Sequence, residues 1–272
     1  MKISKTELQE LEKEVIAALF KATKVHDLLG IEGEKIIHKN QFGDTAIKAD
    51  IKTEEAVINH LKLIKKPIRI ISEEHGEVKI GKKPIFLGIL DGIDGSAIYK
   101  QKRGTGRYST MFGIFQSINP KYGDYLVSGI MEHASKRLFI ASQNNGAWVI
   151  KNGRKSSVHI RNNYGLNPKT KIYIDNYLED EKKLYRDFII KKFPNSCNND
   201  SGSSTNYIDI ALGDYDVYIE FTKKQNLEKA IAYGFIKEAG GTMVDINGND
   251  IAKKEYLRFG QKDGKNIPII TA

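Results

Sequence analysis

The chain has 272 residues, 40% of them hydrophobic, enough to bury a substantial core as one large domain or as two subdomains sharing an interface. Its single cysteine, Cys197, excludes an internal disulfide and a cysteine-built metal cage, and no apolar run is long enough to span a bilayer. A cytoplasmic protein with no membrane partner is therefore expected, the N-terminal segment being charged and amphipathic instead of a signal-peptide core. The net charge of +9, from 43 basic and 34 acidic residues, is spread over pairs such as Lys65-Lys66 and Lys253-Lys254 with no basic stripe or arm, so a lysine-rich solvated surface is expected and a nucleic-acid partner is not.

Over residues 4–29 the apolar side chains Leu8, Leu11, Val15, Ala18 and Leu19 recur at helical spacing, with Gly30 as the stop. A polar turn over 39–44 leads to a second predicted helix, 45–61, on which Asp50 and Glu54 are four apart and share a face. That face is either solvated or turned toward the acids that follow. Residues 67–72 read as a strand that runs into Glu73-Glu74, and 85–90 as a buried strand that gives out at Asp91-Gly92-Ile93-Asp94-Gly95-Ser96.

Two aspartates three apart around a glycine turn can aim at one point, and their repulsion is tolerable only with a cation between them. Oxygen donors without His or Cys suit magnesium better than zinc. Gly95 and Ser96 would open a helix whose free amides can receive an anion, and metal plus anion site suggests a phosphate ester. The alternative is an Asp-Gly turn with solvated acids. Two strand ends that both deliver carboxylates would supply the converging oxygens of a binuclear site.

Residues 100–107 read as a polar, glycine-bearing loop, and the runs 108–115, 125–131 and 137–141 as antiparallel strands, with hairpin turns at Asn145-Gly146 and Asn152-Gly153. Beyond Lys171 strands alternate with helices: a strand at 172–175, a helix at 180–192, and a helix to Leu212 capped by Ser203 or Ser204. A strand at 216–221 follows, then a last helix, 227–239, capped by Asn226 and stopped by Gly240-Gly241. Glu228, in its first turn, either favours the helix dipole or ligates a metal. None of the six histidines falls into a ligand spacing.

In this order the motifs resemble the inositol monophosphatase superfamily of magnesium-dependent phosphatases over nearly the whole chain. Ser72-Glu73-Glu74 resembles its Gly/Ser-Glu-Glu motif and Asp91 to Ser96 its Asp-Pro-Ile/Leu-Asp-Gly-Thr/Ser signature. Leu227-Glu228-Lys229-Ala230 through Glu238-Ala239-Gly240-Gly241 resembles the closing Trp-Asp-x-Ala...Glu-Ala-Gly-Gly. The resemblance implies an α+β fold, a layered αβαβα sandwich of the sugar-phosphatase type. Residues 1–165 would carry most metal ligands and 166–272 would complete the site.

By the same resemblance Glu73, Asp91 and the Ile93 carbonyl hold one Mg2+, and Asp91, Asp94 and Glu228 a second. Ser96, paired with Asp50, positions the attacking water beside Glu73, and the amides of Gly95 and Ser96 receive the phosphate. Gly202, Ser203 and Glu220 lie on the substrate side, with Lys39 near the catalytic centre. The implied activity is hydrolysis of a small phosphorylated polyol, inositol monophosphate or a sugar phosphate, by a homodimer. Arg103-Gly104-Thr105-Gly106-Arg107-Tyr108 resembles the 3′(2′),5′-bisphosphate nucleotidase branch instead. Gly92 in place of Pro, expected to loosen the turn, and Glu228 in place of Asp point to a weakly active or non-catalytic ligand-binding relative. The chain also ends soon after Ile269-Ile270 without the terminal helix of many relatives.

Overall fold

The computed structural model describes residues 3–40, 45–160, 165–175, 178–198, 202–221, 227–263 and 267–272. Helix α1 (Lys5–Leu29) is capped by Ser4, whose hydroxyl accepts from the Glu7 amide at 3.1 Å, and it buries Leu8, Leu11, Val15, Ala18, Leu19 and Ala22 along one stripe. Strands β1 (Ile36–Lys39) and β2 (Thr45–Ile47) pair antiparallel, so the helix predicted from residue 45 starts three residues later, as α2 (Lys48–Leu63). The start is set by the Asp50 carboxylate, which accepts the Ile47 amide at 2.9 Å and leaves Thr45–Ile47 extended.

Next come β3 (Ile68–Ser72), β4 (Gly76–Ile80), β5 (Phe86–Asp94), α3 (Ser96–Lys102), β6 (Ser109–Phe115), β7 (Tyr125–Glu132), β8 (Arg137–Ser142), β9 (Ala147–Lys151) and β10 (Arg154–Val158). They build an eight-stranded sheet of order β10-β9-β8-β7-β6-β5-β3-β4, antiparallel except for the β3–β5 pair. Contrary to expectation β5 does not give out at Leu90. It runs through both aspartates to Asp94, with a register shift against β6 between Asp91 and Asp94. Likewise α3 extends into the predicted loop as far as Lys102.

The second half contributes β11 (Ile172–Ile174), α4 (Glu179–Leu184), α5 (Ile190–Lys192), α6 (Ser203–Leu212), β12 (Val217–Glu220), α7 (Leu227–Glu238), β13 (Met243–Asp245) and β14 (Ile269–Thr271). The helix predicted at 180–192 is interrupted by a π-helical stretch, Tyr185–Ile189, and α7 is followed by another, Tyr256–Asp263. The predicted cap Asn226 lies outside the described residues. Four short strands form a sheet of order β11-β12-β14-β13.

Helices and sheets alternate in layers, an α+β sandwich. One core lies between α1, α2 and the large sheet, and a second joins the opposite face of that sheet to α6, α7 and the small sheet. All residues of β5, β6 and β7 are buried because both faces are covered. Two glycines let the helices close on β7 from opposite sides. A Cβ on Gly129 would lie 2.6 Å from Leu19 Cδ1 of α1, and one on Gly234 of α7 would lie 2.4 Å from Ser128 Oγ. Among the described residues no helix is long and apolar enough to cross a membrane.

Candidate metal centre

Because β3 and β5 are parallel and in register, with Ser72 opposite Leu90, their carboxyl ends deliver acids side by side. A cavity of about 210 Å3 there is lined by Asp50, Glu73, Glu74, Asp91, Ile93, Asp94, Gly95, Ser96 and Lys100. The turn after β3 is gripped by Glu54, which is fully buried in α2. Its carboxylate accepts from the Ser72 hydroxyl at 2.6 Å, the amides of Glu73 at 3.0 Å and His75 at 3.2 Å, and His75 Nδ1 at 2.7 Å. That bond to Glu54 raises the His75 pKa. Asn40, just after β1, donates to Glu73 at 3.3 Å and to Glu74 at 3.0 Å. Asn40 was not singled out from the sequence, and Glu54 and Glu74 were named there without a role of their own in the site. The four-residue spacing of Asp50 and Glu54 was the one available signal, and spacing does not distinguish a solvated acid from a buried clasp.

Gly92 corrects an expectation. A Cβ there would lie 2.3 Å from the Asp50 carbonyl oxygen and 2.9 Å from its carbon, so Gly92 permits a close approach of α2 to β5 in place of a loose turn, and a proline ring would collide. The Gly92 carbonyl accepts from Thr110 at 2.6 Å and from Thr53 at 3.0 Å. Gly95 sits at φ +90°, a left-handed conformation suited to glycine, and turns the chain into α3. Neither Ser203 nor Ser204 caps α6, whose N-cap is Gly202. The Ser204 amide, at 2.8 Å, and the Ser204 hydroxyl both donate to Asp94 Oδ2. Gly202 is needed there, since its Cβ would fall 2.5 Å from the same oxygen.

Carboxylate oxygens of Asp91, Asp94 and Glu228 lie within 4.8 Å of one another, all three residues being buried. Asp50 Oδ1 and Glu228 Oε2 are buried with no hydrogen-bond partner among the described residues. Burial pushes the Asp50 carboxyl well above the usual range, with the Ile47 amide opposing and the charges of Glu73, Glu74 and Glu54 adding to it. Crowded, buried oxygens without nitrogen or sulfur among them fit a hard divalent cation.

Other expected site residues lie elsewhere. Lys39 ends β1 in solvent, and its neighbour Asn40 turns inward instead. Glu220 is 1% exposed, accepts from the Tyr207 hydroxyl and lies 3.8 Å from the ammonium of Lys229, itself 1% exposed. Burial pushes the Glu220 carboxyl up to about 7 despite Lys229, with Glu228 and Asp94 contributing in the same direction. Gly202 packs behind Asp94, and neither Glu220 nor Ser203 lines the acid cavity.

Residues 4–267 match the family model described as "Inositol monophosphatase family". The chain is 25% identical over 240 residues to a Bifunctional NADP phosphatase/NAD kinase of Methanococcus maripaludis, covering 84% of this chain but only 42% of that protein. In three dimensions it is similar to the extragenic suppressor protein suhB of Bartonella henselae, with a TM-score of 0.76 at 18% identity and 97% and 93% of the two chains covered. An IMPase of Thermotoga maritima superposes with a TM-score of 0.74 at 16% identity, over 95% and 90% of the chains. At those identities the likeness speaks for the fold, while the sequence match, spanning all but the ends, decides the family. The chain belongs to the inositol monophosphatase family.

Proposed function

We propose that the chain is a magnesium-dependent phosphatase that hydrolyses a small phosphorylated polyol, inositol monophosphate or a sugar phosphate. The observation that carries this reading is the convergence of Asp50, Glu73, Asp91 and Asp94 on one small cavity beside Ser96. Glu73, Asp91 and the Ile93 carbonyl would hold one Mg2+, and Asp91, Asp94 and Glu228 a second. Bound there, the ions supply Lewis acidity and neutralise charge developing on the phosphate. Asp50 and Ser96 share the cavity wall and orient the attacking water, while Lys100 offers an ammonium to the incoming phosphate.

A second reading rests on a cavity of about 300 Å3 on the other side of α3, lined by Ile98, Lys102, Arg107, Tyr173, Asn206 and Tyr215. Two tyrosines and the ammonium of Lys102, with Arg107 held at 2.6 Å by the Asp209 carboxylate that also lines the cavity, suit a nucleoside phosphate better than a bare polyol. This favours a bisphosphate nucleotidase, or the NADP phosphatase named for the M. maripaludis relative.

A panel of inositol monophosphate, fructose 1,6-bisphosphate, adenosine 3′,5′-bisphosphate and NADP+ at saturating magnesium separates these readings. Fastest phosphate release from the first two is expected, with loss of release in excess chelator. Release from the nucleotides alone would transfer the assignment to the second reading, and no release from any member would leave a ligand-binding relative. Glu228→Gln should raise the magnesium concentration needed for half-maximal rate; an unchanged curve would confine Glu228 to the helix dipole.

A further inference from the structure

The segment between the two aspartates is anchored from behind by a network that takes no part in the cavity. Asp91, Ile93 and Asp94 line the cavity and Gly92 does not. The Gly92 carbonyl accepts from the Thr110 hydroxyl at 2.6 Å, and Thr110 Oγ1 is also 2.8 Å from Nε2 of His133, a fully buried ring on the segment just after β7. A hydroxyl has one proton. If Thr110 gives it to Gly92, His133 must donate from Nε2, leaving Nδ1 as a bare acceptor. If Thr110 gave it to His133 instead, Nδ1 would carry a buried hydrogen. His133 Nδ1 has no partner among the described residues. An orphaned donor costs more than an orphaned acceptor, so the chain runs His133 to Thr110 to Gly92.

Thr53 cannot replace this chain, because its single proton is shared among the carbonyls of Ala49 at 2.8 Å, Asp50 at 3.0 Å and Gly92 at 3.0 Å. The His133 ring is itself fixed, stacked on His26 at 4.2 Å between centroids and 11° between planes. His26 in turn lies 2.9 Å from Asp27 Oδ1 and 3.2 Å from the Tyr108 hydroxyl. Burial keeps His133 in its neutral form, the donor state this chain needs. Gly92, lacking a side chain, has the backbone freedom that such an anchor removes.

We propose that His133 is a positioning residue for the cation site: through Thr110 it pins the Gly92 carbonyl away from the cavity and so holds Asp91, Ile93 and Asp94 facing into it. This rests on the reading of the acid cavity as a magnesium site. Partners behind a ligand commonly change metal affinity by about 10- to 100-fold when removed.

The test is calorimetric titration of the full chain with Mg2+, with thermal unfolding in metal-free buffer as the control for folding. Thr110→Val, nearly isosteric, and His133→Met should each weaken binding by about tenfold or more while the protein stays folded. His133→Gln, whose amide can donate from near the Nε2 position, should bind within about threefold of the unchanged protein, whereas His133→Asn should behave like His133→Met. Wild-type affinity in folded Thr110→Val would overturn the proposal, as would a lower melting temperature with an unchanged dissociation constant. Failure of the unmodified chain to bind Mg2+ would overturn this proposal and the metal reading together, so the two failures are distinguishable.

Discussion

At the scale of single residues, Ser96 and Asp50 line one cavity and are proposed to act as a unit on one water. Ser96→Ala and Asp50→Asn should each lower kcat far more than they change KM, and the double variant should be little worse than the poorer single one. Initial-rate kinetics with all three proteins checks this, and multiplicative losses would reduce Asp50 to a helix-start cap. Glu132 makes a different prediction. Burial alone would raise its pKa, but the Ser135 hydroxyl and the guanidinium groups of Arg107, at 2.9 Å, and Arg137, at 2.6 Å, outweigh that and lower it below 4.5. A carboxylate with a depressed folded pKa stabilises fully above 4.5 and loses that contribution as pH falls through its folded value. Glu132→Gln should therefore flatten the acid limb of a urea-midpoint profile below pH 4.5, and an unchanged limb would show that other carboxylates set it. Residue identity was readable where chemistry is written in type and spacing, as in Asp91 and Asp94. It left open which way Glu54 faces and read Gly92 as loosening a turn, because both roles depend on how closely α2 approaches the two strands it crosses.

At the scale of elements, α7 shows two effects of opposite sign at one position. Gly234 lies in the helix interior, where alanine is ordinarily better by about 1 kcal/mol. Here the added Cβ would meet Ser128 Oγ at 2.4 Å and the Tyr125 ring at 2.6 Å, and overpacking of that kind costs about 1–3 kcal/mol. Gly234→Ala should thus be net destabilising by urea denaturation, and stabilisation would mean that α7 can lift off β7 cheaply. Helix α1 was legible almost to the residue because its apolar period is long and Ser4 caps it. The ends of β5 and α2 were not. In both, polar residues that resemble a turn are held in regular structure by a neighbouring strand: β6 for Asp91 and Asp94, and β1 for Thr45–Ile47.

At the scale of the molecule, two helical layers close on one sheet, and the single parallel pair in that sheet brings two acidic strand ends together. Alternation of strands and helices beyond Lys171 foretold the second sheet, but not that α7 would pack in one core with the large sheet. The meeting of acids has a consequence for the protein as a thermodynamic object. Without a cation, folding must press Asp91, Asp94 and Glu228 to within 4.8 Å of one another, a cost the unfolded chain does not bear. The native state is then weakest where it is most specialised, and a bound ion returns stability as RT ln(1 + [L]/Kd), about 2.7 kcal/mol at a hundredfold excess over Kd. Differential scanning fluorimetry should show the wild-type melting temperature climbing with magnesium, and Asp94→Asn melting higher than wild type in chelator yet scarcely responding to the ion. Equal melting in chelator would mean that the acids are relaxed when empty. A higher one would make the cation part of what keeps this chain folded, so that its abundance in a cell would follow the magnesium supply as well as its own synthesis.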